Sequence, residues 1–491
     1  MSDKIIELNE IKKKLVAGGG EKLISEQHNK GKLTARERLN HFFDEGTFIE
    51  TGLFINSFST KINSSEGVVT GYGQVNGRLV YAFSDDYTIL NGSLGKKHIE
   101  KILKCQEDAI KLGVPIIYMF DSSGIRIDEG IETLSTLGIV LKNISDFKGI
   151  IPQISVVFGQ CAGTLSFAAT LTDFSFMISK ESKMFLTGLE GLKDSDKAKN
   201  DEKAYGSAMA HSSNTGIVDF VAENENECLI KIRDLLSYLP QNAREMPEEK
   251  ETNDDLNRLC VGLNDINFES SYDVKNIIIE VADDNIFFEA SENYAKNLIT
   301  GFIHLGEITV GVIANNKNEL NGEIDIASAK KAEKFIKICN SFSIPILSIV
   351  DSDGFVKTLA EENGGNIKYA SDMIYAYSNA SVPMVSLIIN KAIGTSFMCM
   401  GNKALGIDEV FALPSAKIAV MNENMLFNIL YDEKLKNASE TERAEMMDEL
   451  DKEIISPYLA ASLGIVDDII EPLKTRQHLI SAFDKLLTKA L

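Results

Sequence analysis

Two short stretches of this 491-residue chain could stabilise a developing negative charge with backbone groups alone. The first is Asp121-Ser122-Ser123-Gly124, followed downstream by Gly163-Thr164. The second is Asp351-Ser352-Asp353-Gly354-Phe355, followed by Gly394-Thr395. A glycine turn lets backbone amides approach a ligand with no Cβ in the way. Unpaired N–H groups also gather where strands end and helices begin. Two such turns from neighbouring strands can aim two N–H donors at one oxygen, which makes an oxyanion hole. The candidate donors are Ser123, Gly124, Gly163 and Thr164 in the first half of the chain. In the second half they are Gly354, Phe355, Gly394 and Thr395. Two holes in one chain suit a reaction that passes between two enolate-like species.

Other chemistries find no residues to carry them. There is no Gly-x-Ser-x-Gly elbow, no phosphate-binding loop and no metal-spaced His/Asp set, so no metal is expected. The six cysteines are scattered without a CxxC pair, which fits a reduced, cytoplasmic setting. His98 and His211 stand apart from Cys or acid partners and are read as structural. Asp128-Glu129 and Glu361-Glu362 follow the two turns, but helix starts attract acids and no base role is assigned to them. A net charge of −22 argues against nucleic acid.

The elements that must position these turns are duplicated. Val114-Pro-Ile-Ile-Tyr-Met-Phe-Asp-Ser-Ser-Gly124 matches Ile344-Pro-Ile-Leu-Ser-Ile-Val-Asp-Ser-Asp-Gly354. One constant offset pairs Pro115 with Pro345, Asp121 with Asp351 and Gly124 with Gly354. Ile151-Pro-Gln-Ile-Ser-Val-Val matches Val382-Pro-Met-Val-Ser-Leu-Ile at an offset longer by a single position, which pairs Pro152 with Pro383 and Gly163 with Gly394. Each half thus reads as an apolar strand ending in an Asp-Ser-x-Gly turn, a helix, a second apolar strand and a glycine turn opening another helix. Strand runs before the first copy are split by an Asn76-Gly77 hairpin signal. The uncharged run from Gly149 to Thr172 reads as a buried strand, a glycine turn and a helix start, not as a membrane span. The acidic stretch after Pro240 reads as a linker. The expected division is residues 1–245, a linker over 246–262, and residues 263–491.

Several motifs resemble the carboxyltransferase subunits of biotin-dependent acyl-CoA carboxylases and decarboxylases, of the propionyl-CoA carboxylase beta and methylmalonyl-CoA decarboxylase alpha type. They include Gly31-Lys-Leu-Thr-Ala-Arg-Glu-Arg-Leu39, Asp121-Ser-Ser-Gly-Ile-Arg-Ile-Asp-Glu-Gly130, Met184-Phe-Leu-Thr-Gly188 and Ala208-Met-Ala-His-Ser-Ser-Asn-Thr-Gly216. Tyr294-Ala-Lys-Asn-Leu-Ile-Thr-Gly-Phe302 and Gly464-Ile-Val-Asp-Asp468 extend the likeness over nearly the whole chain. The resemblance implies an α/β fold of two tandem crotonase-like (ClpP/crotonase) ββα superhelical lobes. It implies acyl-CoA in the N-terminal lobe and biotin in the C-terminal lobe, with thioester and biotin enolates held in the two holes. By the same likeness Ser123, Gly124, Gly163 and Thr164 belong to the thioester, and Gly354, Phe355, Gly394 and Thr395 to biotin.

No biotin-accepting Ala/Met-Lys-Met motif is found, so biotin is expected on a carrier protein. The further partners implied are a biotin carboxylase or the membrane subunits of a decarboxylase, which would make the chain peripheral to a membrane. A homo-oligomer is implied, a dimer at least and a hexamer by family habit. The sequence departs from the family at Ser123, Gln160, Thr164, Ser207 and Thr395, where Gly or Pro is usual. Two other readings stand beside this one: a weakened paralogue serving as a scaffold, and a crotonase-like hydratase or isomerase.

Overall fold

The computed structural model describes residues 1–56, 65–193, 204–268, 270–436 and 438–489. The chain divides into two compact units, Met1–Met246 and Pro247–Leu491. In the first, the strands are β1 (Ile49–Thr51), β2 (Val68–Val75), β3 (Arg78–Asp85), β4 (Ile116–Ser122), β5 (Gln153–Ala162), β6 (Phe174–Ile178), β7 (Lys183–Phe185) and β8 (Phe220–Ala222). They lie in the order β1-β2-β3-β4-β5-β6-β8, with β7 attached to β5. The first three are antiparallel, and every later pairing is parallel. Asn76 and Gly77 close the β2–β3 hairpin with φ of 51° and 80°, the left-handed pair that such a turn demands.

All of β4 is buried, as a parallel strand covered on both faces requires. The helix Lys96–Leu112 lays Ile99, Ile102, Cys105 and Ala109 against Ile116 and Tyr118, one helical face repeating every third or fourth residue.

The second unit repeats the plan. Its strands are β9 (Phe288–Ala290), β10 (Leu298–Leu305), β11 (Ile308–Asn315), β12 (Ile346–Ser352), β13 (Met384–Ile393), β14 (Glu409–Ala412), β15 (Lys417–Ala419) and β16 (Asp468–Ile469). Their order is β16-β14-β13-β12-β11-β10-β9, with β15 attached to β13. At both ends, β10, β11 and β12 follow β2, β3 and β4 by the offset that separates Asp351 from Asp121. β13 follows β5 by the longer offset that separates Gly394 from Gly163. The duplication read from the turns therefore extends through the sheets.

Both copies kink at the same place. β4 pairs with β5 as Phe120↔Val157 and next as Ser122↔Cys161, so β5 advances four positions where β4 advances two. β12 and β13 do the same between Val350↔Ile388 and Ser352↔Ala392. Past the kink, β5 runs beside β7 and β13 beside β15. Such a bulge re-aims the chain beyond it, and the Asp at each bulge, Asp121 or Asp351, is buried.

A tripeptide overlooked in the sequence supports each bulge. Leu90-Asn91-Gly92 recurs as Leu320-Asn321-Gly322, and Leu and Asn are left-handed in both copies. A Cβ on Gly92 would overlap the Asp121 carbonyl oxygen, and one on Gly322 the Asp351 carbonyl oxygen.

From Pro247 onward, the stretch expected to be a linker belongs to the second unit. Lys250 N–H donates to Glu307 O at 2.8 Å, and Cys260 N–H to Leu473 O at 2.8 Å. Arg258 bridges Asp254 at 2.8 Å and the Glu280 carbonyl at 2.9 Å. Its polarity marks a hydrogen-bonded surface segment, and polarity alone does not separate that from a tether.

Gly92→Ala and Gly322→Ala should each cost at least ~2 kcal/mol, combining left-handed strain with backbone overlap. Gly77→Ala, where a Cβ meets nothing within 4 Å, should cost only ~1 kcal/mol. Thermal unfolding of the three variants checks the ranking.

Candidate active site

Hydrogen bonding decides which amides of the two turns can serve a ligand. In the first unit Ser123 N–H donates to Asn91 O at 3.1 Å. Gly124 N–H donates to Ser122 Oγ at 3.1 Å, and Gly163 N–H to Phe185 O at 2.9 Å. Three of the four expected donors are thus engaged in holding the turns. The amides of Ile125 and Thr164 have no acceptor among the described residues. Leu94 bonds the backbone on both sides of Ile125, taking Gly124 O at 2.9 Å and accepting Arg126 N–H at 2.9 Å, so the Ile125 N–H faces away from that strand edge. Thr164 opens the helix Leu165–Leu171, whose start no side chain caps. The two turns adjoin, since Ser122 pairs with Cys161 and a Cβ on Gly124 would lie 3.5 Å from Ala162 O.

The second unit is built alike. Gly354 N–H donates to Ser352 Oγ at 3.3 Å. Ile324 takes Gly354 O at 3.0 Å and accepts Val356 N–H at 2.9 Å. Phe355 N–H is left without an acceptor among the described residues. Gly394 and Thr395 open the helix Gly394–Gly401, which no side chain caps. They line a cleft of about 690 Å³ with Phe397, Met398, Val420 and Leu426. Phe355 was expected as a donor. Its counterpart in the first copy is Ile125, which was not, although the spacing of the duplication points to it.

Gly163 and Gly394 take matching positive φ of 64° and 60°. Thr164, by contrast, has φ −58°, and neither Ser123 nor Thr395 has positive φ. Ser123, Thr164 and Thr395 therefore sit at positions free of left-handed strain.

Behind the first turn lies a buried ionic cluster that sequence reading missed. Asp121 accepts from Arg38 at 2.9 Å and Lys32 at 2.7 Å, and Arg38 also grips Glu225 at 2.7 Å. The Arg38 guanidinium lies over the Phe158 ring, 4.6 Å from its centroid. Burial alone would push the Asp121 carboxyl up, but the Arg38 and Lys32 cations outweigh it and hold the group below the usual carboxylate range. Gly159 makes room for this, because a Cβ there would overlap both Asp121 Oδ1 and Lys32 Nζ.

The second unit solves the same problem with neutral donors. Asp351 accepts from Tyr272 Oη at 2.5 Å, Asn390 Nδ2 at 3.3 Å and Lys391 N–H at 3.0 Å. Burial, then the Asp351 charge, push the Tyr272 phenol far up, so it remains a donor.

The remaining candidates are structural. His211 Nε2 bonds Met184 O at 2.7 Å from within a π-helical turn, Ala210–Thr215. Glu129 bonds Arg126 and the Lys96 amide, and Glu361 the Ile326 amide at 2.8 Å. Among the described residues no cluster of His, Cys, Asp or Glu could hold a metal ion. Nor is any described helix long and apolar enough to cross a membrane.

Comparison with known proteins places this geometry. The carboxyl transferase domain family matches residues 26–491. Methylmalonyl-CoA decarboxylase subunit alpha of Propionigenium modestum is 40% identical over 98% of this chain and 96% of its own. The carboxyltransferase subunit of Haloferax mediterranei propionyl-CoA carboxylase is 40% identical over 100% of this chain and 97% of its own. The structure of transcarboxylase 12S, a hexamer assembly with methylmalonyl-coenzyme A and methylmalonic acid bound, superposes with a TM-score of 0.96 at 36% identity. The match covers 100% of this chain and 96% of that one. The crotonase-like two-domain fold is thereby shared.

Removing Arg38 strands a buried carboxylate pair. Arg38→Met should cost ~3–5 kcal/mol, as breaking a buried ion pair from one side does. Lys275→Met, at the partly exposed pair with Glu289, should cost under ~1 kcal/mol. Denaturant titration of both variants measures the difference.

Proposed function

We propose, from the premise that this chain belongs to the carboxyl transferase family, that it moves a carboxyl group between biotin and the α-carbon of a short acyl-CoA. Propionyl-CoA and methylmalonyl-CoA are the favoured pair. The observation that carries the reading is the duplicated pair of amides without acceptors among the described residues, Ile125 with Thr164 and Phe355 with Thr395. Enolates concentrate negative charge on one oxygen, and a two-donor backbone pocket favours that oxygen over the neutral carbonyl it came from. In the first unit, Ile125 and Thr164 would hold the thioester oxygen as it takes up the charge delocalised from the α-carbon. The neighbouring Asp121 does not oppose that charge, because Lys32 and Arg38 neutralise it.

Biotin supplies the ureido nitrogen that accepts and delivers the carboxyl group. The second unit fits it: Phe355 and Thr395 would hold the ureido oxygen, and the apolar cleft beside Gly394 suits an uncharged bicycle with a hydrocarbon chain. No side-chain nucleophile is required, in keeping with the structural roles of His211, Glu129 and Glu361. We take biotin to reach the site on a carrier protein and the chain to work as a homo-oligomer, a hexamer by analogy with transcarboxylase 12S. A biotin carboxylase or the membrane subunits of a decarboxylase would complete the enzyme.

The purified chain should convert methylmalonyl-CoA to propionyl-CoA only when free biotin is added to take up the carboxyl group as carboxybiotin, and should itself give no streptavidin signal. Thr164→Pro removes one donor at a φ that proline accepts, and Thr395→Pro removes its counterpart. Each should lower turnover about 100- to 1000-fold. Biotin-independent formation of propionyl-CoA, or proline variants as active as wild type, would remove the reading.

A further inference from the structure

The buried His98–Asp85 pair has no part in the function described. His98 is wholly buried and its Nε2 lies 3.0 Å from Asp85 Oδ1. The other Asp85 oxygen accepts the backbone N–H of Asp121 at 3.2 Å. His98 therefore connects, through one carboxylate, to the residue at the β4 bulge. From that bulge the chain runs Ser122, Ser123, Gly124 and Ile125.

Asp85 engages Nε2 of the imidazole, and Nδ1 is buried with no hydrogen-bond partner among the described residues. A buried polar atom left without a partner is unfavourable. Stability alone would favour an apolar residue or one with a single polar atom at this place. The second unit has such an arrangement. There Asn315, the counterpart of Asp85, accepts the Asp351 N–H on Oδ1 at 3.3 Å and donates from Nδ2 to Gly322 O at 3.0 Å. Its carboxamide is oriented with no third residue. Ser328, the counterpart of His98, is left to cap the helix with Asp325.

A carboxylate has no donor with which to orient itself on Gly92 O, so Asp85 needs a partner to set its rotamer. We infer that His98 is a positioning residue for the thioester-side amides. It orients Asp85, Asp85 holds the Asp121 amide, and this holds Ile125 N–H on the line of the thioester oxygen. The Lys32–Arg38 cluster secures the Asp121 side chain, and the Asp85–His98 pair secures its backbone. The inference rests on the carboxyl-transfer reading above.

The test compares His98→Leu with His98→Gln, whose carboxamide nitrogen can reach the Asp85 oxygen as Nε2 does. In biotin-dependent decarboxylation of methylmalonyl-CoA, His98→Leu should lower kcat about 30- to 100-fold, the scale of a small misplacement of a catalytic group. KM for methylmalonyl-CoA and for biotin should stay within about twofold, and His98→Gln should return kcat to within about threefold of wild type. Hydrogen exchange of a peptide spanning Phe120–Arg126 should rise in His98→Leu and not in His98→Gln. An equal loss in both variants, a loss confined to KM, an unchanged kcat in His98→Leu or unchanged exchange would each overturn the inference. An inactive wild type would instead overturn the carboxyl-transfer reading, and this inference with it.

Discussion

A buried carboxylate at a strand bulge is the constraint on which the first unit depends. Asp121 lies where β5 advances four positions against two of β4, and that offset sets Ser122 opposite Cys161, so that the Ser122 turn adjoins the Gly163 turn. An isolated carboxylate there would be protonated or would unfold the bulge. Lys32 and Arg38 keep it charged, and Glu225 balances the second cation, so the four groups sum to neutrality. The N-terminal residues that carry the family resemblance are thus the residues that hold the turn.

The two copies kept the backbone and changed the chemistry behind it. Gly159 in the first unit leaves room for a cation, whereas Asn390 in the second fills the corresponding place and donates to Asp351 itself. On the proposed reading, a thioester oxygen gathering charge in the first unit would meet a neutralised surrounding. The second unit presents phenol, carboxamide and backbone donors to Asp351, with Lys391 paired instead to Asp353 at 2.8 Å. A duplicated fold so differentiated can serve two different anions with the same pair of amides.

The duplication was legible because Pro115, Asp121, Gly124 and Gly163 each recur at a fixed spacing, and glycine and proline record backbone requirements directly. The fold class followed from that and from the family likeness. Which amide is a donor was less legible. Ser123 N–H is taken by Asn91 O, a partner on a separate loop that no local pattern announces. The ion cluster joins positions 32, 38, 121 and 225, and pairings at that range leave no periodic trace. The stretch 246–262 misled for a related reason: its acidic composition is that of a tether, while Arg258 and Lys250 tie it down.

Whether Ile125 and Thr164 hold the oxygen on which charge develops can be tested directly by a crystal structure of this chain with methylmalonyl-CoA, or with a non-reactive ester analogue retaining the carbonyl. The thioester oxygen should lie ~2.7–3.1 Å from both amide nitrogens. A thioester oxygen bound by any other pair of groups, or pointing away from the Gly124 and Gly163 turns, would contradict the central role given to these two amides.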